Sequence, residues 1–241
     1  MKNKATYGII YSMQEVNNSI FVAAHELKAP LALMRQLALA LDPDNPVTTT
    51  EYQQKLISVS DRAMRQVNDL AKIARLEDGL FEMEPIAVRG LCEEVVGELK
   101  YLFRFNQKHL QIRYTNKDRL VVANRELLGS IIYNFCVNAI KYADQGSATK
   151  LAVTGSRERV RISVRDFGPA LPKDIYDKLT GDSLTSPVGI SFRPDSSGLG
   201  LYIATKFAKY MHADIGAIRH HDGTSFFVEL PVSHQGTLFD A

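Results

Sequence analysis

The sequence is poor in cysteine, carries little excess charge and has no long apolar run, and each lack excludes something. Its two thiols, Cys92 and Cys136, lie far apart and fit no metal-ligand spacing; they read as reduced, buried thiols of a cytosolic protein. A formal net charge of +2 leaves no basic stripe for nucleic acid and no polybasic patch for a membrane surface. No apolar stretch approaches the roughly 20 residues that span a bilayer. The opening MKNKATYGIIYSM has too short an apolar segment for a secretory signal. No internal repeat is present. What remains is an ordinary globular composition, long enough for one or two domains, expected to be cytoplasmic and to touch neither nucleic acid nor membrane.

Two textures divide the chain. Ile20, Leu27, Leu31, Met34, Ala38 and Leu41 recur at helical steps. DPDNPVTTT then breaks the pattern with two prolines and capping residues, and Leu56, Ala63, Val67, Leu70 and Ala74 resume it as far as LEDG. Two helices joined by a short turn predict an antiparallel hairpin with too little core of its own, so its apolar stripe is expected to meet a second copy in a dimeric four-helix bundle. After Gly79, LQIRY, RLVVA, KLAVTG, RVRISVRD and TSFFVELP read as strands. Helical patterns over 91–103, 126–143 and 199–211 interleave with them. The expectation is an α+β sandwich, with helices over one face of a mixed sheet. Domains are placed at 1–78 and 79–233, with a tail at 234–241. The polar, irregular stretch TGDSLTSPVGISFRPDSS reads as a lid.

Four short stretches carry chemistry. In AAHELKAPL, His25 points away from the apolar stripe at about 100° per residue, Glu26 is its neighbour on the exposed half, and Pro30 cannot donate to the carbonyl of Glu26. Zinc is disfavoured there because Ala29 occupies the i+4 position. In NFCVNAIKYA, Asn134, Asn138 and Lys141 share one helical face, opposite Leu128, Ile132, Phe135 and Ala139. Two amides and an ammonium suit a hydrated Mg²⁺ and phosphates. In VRDFGPA, Asp166 at a strand end can accept a hydrogen bond from an exocyclic amine, and Gly168 is expected to let the backbone approach a flat base. In SSGLGLYIATKF, Gly198 and Gly200 open a helix whose free N–H groups suit a phosphate. Each stretch also has a plain structural reading: an exposed histidine, a polar helix face, a strand-to-turn aspartate, a tightly packed helix start. Their order and spacing together are specific.

In that order the stretches resemble the H, N, G1 and G2 boxes of the sensor histidine kinases of two-component systems, over residues from about 15 to 231. The resemblance implies a helical dimerisation and phosphoacceptor domain followed by an ATP-binding domain of the gyrase/Hsp90-like type, complete or as the cytoplasmic part of a longer membrane sensor. It implies His25 as phosphoacceptor and Glu26 as its acid/base neighbour. Asn138 would hold Mg²⁺ with Asn134 beside it, Lys141 would reach phosphate, and Tyr142 would flank the nucleotide. Asp166 would bind the adenine amine, Gly168, Gly198, Gly200 and Leu201 would line the ATP site, and Arg193 in the lid would meet the terminal phosphate. The implied partners are a second copy and a response-regulator receiver domain.

The resemblance also separates close alternatives. ATP-hydrolysing relatives carry a water-activating glutamate where this chain has Asn134, so poor hydrolysis is expected. Ala29 stands where many relatives have Thr or Asn to orient the water that dephosphorylates the regulator; alanine has no hydrogen-bonding group, so weak phosphatase activity is expected. Ala170 for glycine, Asn124 for aspartate and His212–Asp214 for His-Gly-Gly are further departures. The competing readings are a nucleotide-binding scaffold that signals by conformation and a plain nucleotide hydrolase.

Overall fold

The computed structural model describes residue 24 and residues 27–42, 44–115, 119–173, 176–177 and 198–233. His25, Glu26, Arg193 and the tail lie outside these residues. The chain divides into two compact units, residues 1–74 with 185–199 and residues 75–184 with 200–241.

The first unit is helical. Helix α1 runs over residues 27–39, through Pro30. The break falls where the prolines and capping residues placed it. Asp42 and Asp44 form a tight turn, with the Asp44 N–H on Asp42 Oδ1 at 3.0 Å, and Thr49 Oγ1 donates to the Asp42 carbonyl at 2.5 Å. Asn45 then caps α2 (Pro46–Ala74): its carbonyl accepts the Thr49 N–H at 3.1 Å, and its side chain faces the Thr48 N–H at 3.4 Å. Proline as the first helical residue costs nothing, because that N–H has no intrahelical partner. The unit buries few apolar groups: Leu37 and Ala63 are covered, whereas Leu31, Leu39, Ile57, Met64 and Val67 stand between 45% and 74% exposed. Of the periodic residues among those described, Leu31, Ala38, Val67 and Ala74 are exposed, Ala63 is buried, and Leu27, Met34, Leu41, Leu56 and Leu70 are half-buried; Leu39, Ile57 and Met64 are exposed outside that pattern.

The second unit follows a 3₁₀ turn (Leu76–Asp78) closed by Gly79 in the left-handed region at φ 67°. Its elements are β1 (Glu84–Ala87), α3 (Val88–Phe105), β2 (His109–Tyr114), β3 (Leu120–Ala123), α4 (Arg125–Tyr142), β4 (Ala148–Gly155), β5 (Arg159–Arg165), α5 (Leu199–Tyr210), β6 (Asp214–His220) and β7 (Gly223–Pro231). The main sheet has the order β2-β4-β5-β7-β6, parallel between β2 and β4 and antiparallel elsewhere, so it is mixed as expected. A small antiparallel pair, β1 with β3, stands apart and is bridged to the end of β7 at Val121 and Val232. Strands β1 and β6 were not anticipated: EPIA is short and contains proline, and DIGAIRH is interrupted by Gly216. In β6 the ring of Phe227 from the paired strand lies over that glycine, 2.7 Å from where a Cβ would stand.

Alternation explains the layering. Val160, Ile162 and Val164 of β5 and Phe226, Val228 and Leu230 of β7 point inward. Helix α4 covers them with Leu127, Leu128, Ile131, Ile132, Phe135 and Ala139, and Phe135 stacks on Phe226 with ring centroids 5.8 Å apart. Burying each such side chain contributes about 1.5–3 kcal/mol. Cys92 and Cys136 are also fully buried, and burial pushes the Cys92 thiol up to about 12 and raises that of Cys136 as well. They are unreactive packing groups. The outer face of the sheet is polar, with Arg159 and Arg161 gripping Glu229 across the strands.

Candidate nucleotide site

Helix α4 is the frame of the site, and its N-terminus is fixed by Asn124. That side chain accepts the Leu127 N–H at 3.1 Å and donates to the Glu82 carbonyl at 2.9 Å. It is an N-cap, a role that aspartate fills as well, so this departure from the family pattern leaves the helix start intact. With α4 packed by its apolar face, the polar stripe turns outward. Asn134 is half-buried and donates from Nδ2 to the Ser130 carbonyl at 3.0 Å. Its Oδ1 lies 2.9 Å from where a Cβ on Gly200 would stand. A side chain at Gly200 would displace the Asn134 amide, which supports the packing reading of that glycine. Asn138 is half-buried and makes no side-chain hydrogen bond among the described residues. Lys141 is exposed, with Nζ 5.4 Å from the Tyr142 ring centroid. Gly198 holds φ 72° just before α5, a turn that favours glycine, and Leu201 is buried on that helix.

Asp166 follows β5 and is 3% exposed. Its N–H donates to the Thr224 carbonyl at 2.9 Å, and its Oδ1 accepts the Thr224 N–H at 3.0 Å. One carboxylate oxygen is thus held by backbone, which fixes where the other points. Gly223 permits this: at φ 146°, a Cβ there would sit 2.2 Å from the Asp166 carbonyl oxygen. One residue past the last paired rung of β4 and β5, Thr149 is fully buried, and its hydroxyl has no partner among the described residues. Phe167 turns the other way, between Lys150 and Arg165, whose cationic groups lie 4.9 and 4.5 Å from its ring centroid.

Gly168 has a packing reason beside the expected one: a Cβ there would lie 2.1 Å from the carbonyl oxygen of Tyr142. The glycine lets the turn after β5 press against the C-terminus of α4, where the Asp144 N–H donates to the Phe167 carbonyl at 2.7 Å. The structure thereby brings Asp166, Gly168, Lys141 and Tyr142 together at one end of α4, and Asn134 and Gly200 together two turns back. Eight residues at 1.5 Å rise separate the two groups by about 12 Å.

Lys108, Thr224 and Gly223 were missed as contributors. Gly223 was visible in the sequence as the glycine that closes the two-residue loop His221–Asp222 and opens β7. Thr224 and Lys108 left no local trace, because what matters is their pairing with residues far along the chain. Another departure, His212–Asp214, is accommodated between α5 and β6: His212 takes φ 52°, and Asp214, which opens β6, forms an ion pair with Arg159.

A mixed sheet covered by helices, with a buried carboxylate at a strand end beside a helix bearing two amides and a lysine, makes an α/β domain whose polar groups suit a nucleotide. Comparison with known proteins agrees. Residues 123–234 match the histidine kinase-, DNA gyrase B- and HSP90-like ATPase family. The adaptive-response sensory kinase SasA of Synechocystis is 29% identical over 93% of this chain, and the sensor protein QseC of Escherichia coli 30% identical over 78%. The chain spans 61% and 41% of those relatives' lengths. Among solved structures, the histidine kinase ThkA in complex with the response regulator TrrA superposes over 92% of this chain, with a TM-score of 0.62 at 19% identity. The histidine kinase AdeS of Acinetobacter baumannii does so over 87%, with 0.61 at 16%. In sequence and in fold the chain is similar to the sensor histidine kinases of two-component systems.

Proposed function

We propose that the chain is an ATP-dependent protein histidine kinase that phosphorylates His25 and passes the phosphoryl group to an aspartate of a response-regulator receiver domain. The observation that carries the reading is Asp166, a buried carboxylate locked by Thr224 at the end of α4 that also carries Tyr142 and Lys141. In this reading the adenine amine donates to Asp166, and the phosphates run back along α4 toward Asn138 and Asn134. The free amide of Asn138 fits a Mg²⁺ carried on the phosphates, because that ion keeps most of its waters and needs few protein ligands. No cluster of three metal-ligating side chains is present among the described residues, which suits an ion delivered with the nucleotide. When bound, Mg²⁺ would neutralise phosphate charge; Lys141 would add a second cation and Arg193 a third. Gly198 and Leu201 would line the phosphate side.

Transfer to His25 passes through a loose transition state, so the protein's work is positioning and charge stabilisation. The attacking imidazole must be neutral, because a protonated ring has no lone pair to offer the phosphorus. Glu26 would accept the departing proton or hold the other ring N–H. Asn134 is an amide that donates into its own helix; it has no basic carboxylate with which to activate water, which supports transfer over hydrolysis. Ala29 is exposed on α1 and offers no group to orient water, which supports a kinase slow to dephosphorylate its regulator. The uncovered stripe through Ile57, Met64 and Val67 supports a homodimer formed by the domain placed at 1–78, with ATP bound by that at 79–233. Among the described residues no helix is long and apolar enough to cross a membrane, and a cytoplasmic site of action is proposed.

The test is incubation with γ-labelled ATP and Mg²⁺. The reading expects alkali-stable, acid-labile label on the protein that His25→Ala abolishes. Free phosphate without protein label would make the chain a hydrolase, and binding without label would make it a scaffold. Loss of phosphate from a labelled regulator should be slow; rapid loss that depends on this chain would overturn the phosphatase reading.

A further inference from the structure

Lys108 lies just before β2, far in sequence from every motif, and is 9% exposed. A buried ammonium is costly unless its donors are used. Here Nζ donates to two carbonyls at the end of α4, those of Ile140 and Ala143, the latter at 2.5 Å. The last carbonyls of a helix have no intrahelical partner and carry its negative dipole end, so a cation there satisfies both needs. Burial lowers the Lys108 pKa, and the charges of Asp144 and Asp166 oppose that shift. The same few residues hold two further contacts between the end of α4 and the turn after β5: the Asp144 N–H on the Phe167 carbonyl, and Gly168 against the Tyr142 carbonyl.

We infer that Lys108 is a positioning residue for nucleotide recognition, clamping the end of α4 so that Tyr142 and Lys141 keep a fixed place relative to the base-recognising carboxylate of Asp166. It touches no nucleotide itself. Without it, the Ile140 and Ala143 carbonyls are left buried and unpaired, the last turn of α4 shifts, and the base and phosphate ends of the site no longer fit one ligand. The inference rests on the reading of Asp166 as the adenine-binding group.

The experiment is titration of ATP and GTP into wild type, Lys108→Met and Lys108→Arg, with thermal unfolding of each. In the folded Lys108→Met protein, ATP affinity should fall at least tenfold and the ATP-over-GTP preference at least threefold, while Lys108→Arg, which still places donors on carbonyls, should restore both to within threefold. A purely structural role would lower the melting temperature and leave the preference unchanged. Should Lys108→Met not fold, Lys108→Gln carries the same readout; failure of both to fold would assign Lys108 to stability alone and overturn the inference. A folded Lys108→Met with wild-type ATP affinity and preference would also overturn it. Wild type that binds no ATP would instead refute the reading of the site itself.

Discussion

The two units of this chain spend their apolar residues in opposite ways. In the α/β unit nearly every apolar side chain of α4, β5 and β7 is buried, and the residues left outside are the chemical ones. In the helical unit several large apolar side chains are themselves outside, among them Ile57 at 59% and Met64 at 61% exposed. The first pattern belongs to a domain that completes its own core and offers a site. The second is the pattern that the proposed homodimer would cover.

Substitutions in each unit should break that contrast by different routes. The largest effect on folding is expected at Gly168. A methyl there would overlap the Tyr142 carbonyl, a backbone atom that cannot rotate away. Gly168→Ala should destabilise the α/β unit by about 3 kcal/mol or more and weaken nucleotide binding with it, read by chemical denaturation and ATP titration. Phe135→Ala removes a ring stacked on Phe226 and should cost about 3–5 kcal/mol by the same measurement. Asn124→Ala removes an N-cap and should cost about 1 kcal/mol, whereas Asn124→Asp should hold. In the other unit, Met64→Glu should change the stability of the monomer by less than about 0.5 kcal/mol yet shift the chain from dimer to monomer in sedimentation. A dimer unaffected by that change would place the interface elsewhere.

The smallest expected effect is pH-dependent. Burial, aided by Arg165, lowers the His220 pKa below its usual 6.5, with Asp222 opposing. The folded state then binds fewer protons than the unfolded chain between the two values. Stability from this group is full above pH 6.5 and falls on acidification until the folded pKa is passed. His220→Gln should flatten the decline in melting temperature from pH 7.5 to 5; an unchanged slope would assign the decline to other groups.

Local pattern made most of this legible. Period-two runs located β2, β3, β4, β5 and β7, and the Asn134–Asn138–Lys141 stripe emerged from helical spacing alone. What stayed hidden depends on distant pairing. Strand β6 was masked by Gly216, whose gap Phe227 fills from the neighbouring strand. Lys108 meets its carbonyls 32 and 35 residues later, beyond any window in which spacing has meaning. Gly168 was visible, but its reason was not: a sequence shows that a Cβ is absent and cannot show which atom occupies its place.

The central claim is that Asp166 makes this chain an ATP-binding protein, and calorimetric titration of Mg²⁺-ATP into wild type and Asp166→Asn tests it most directly. Asparagine keeps an oxygen for the Thr224 N–H, so the fold should stand. The account predicts one ATP per wild-type chain and at least thirtyfold weaker binding to the variant; equal binding by the two folded proteins would contradict it.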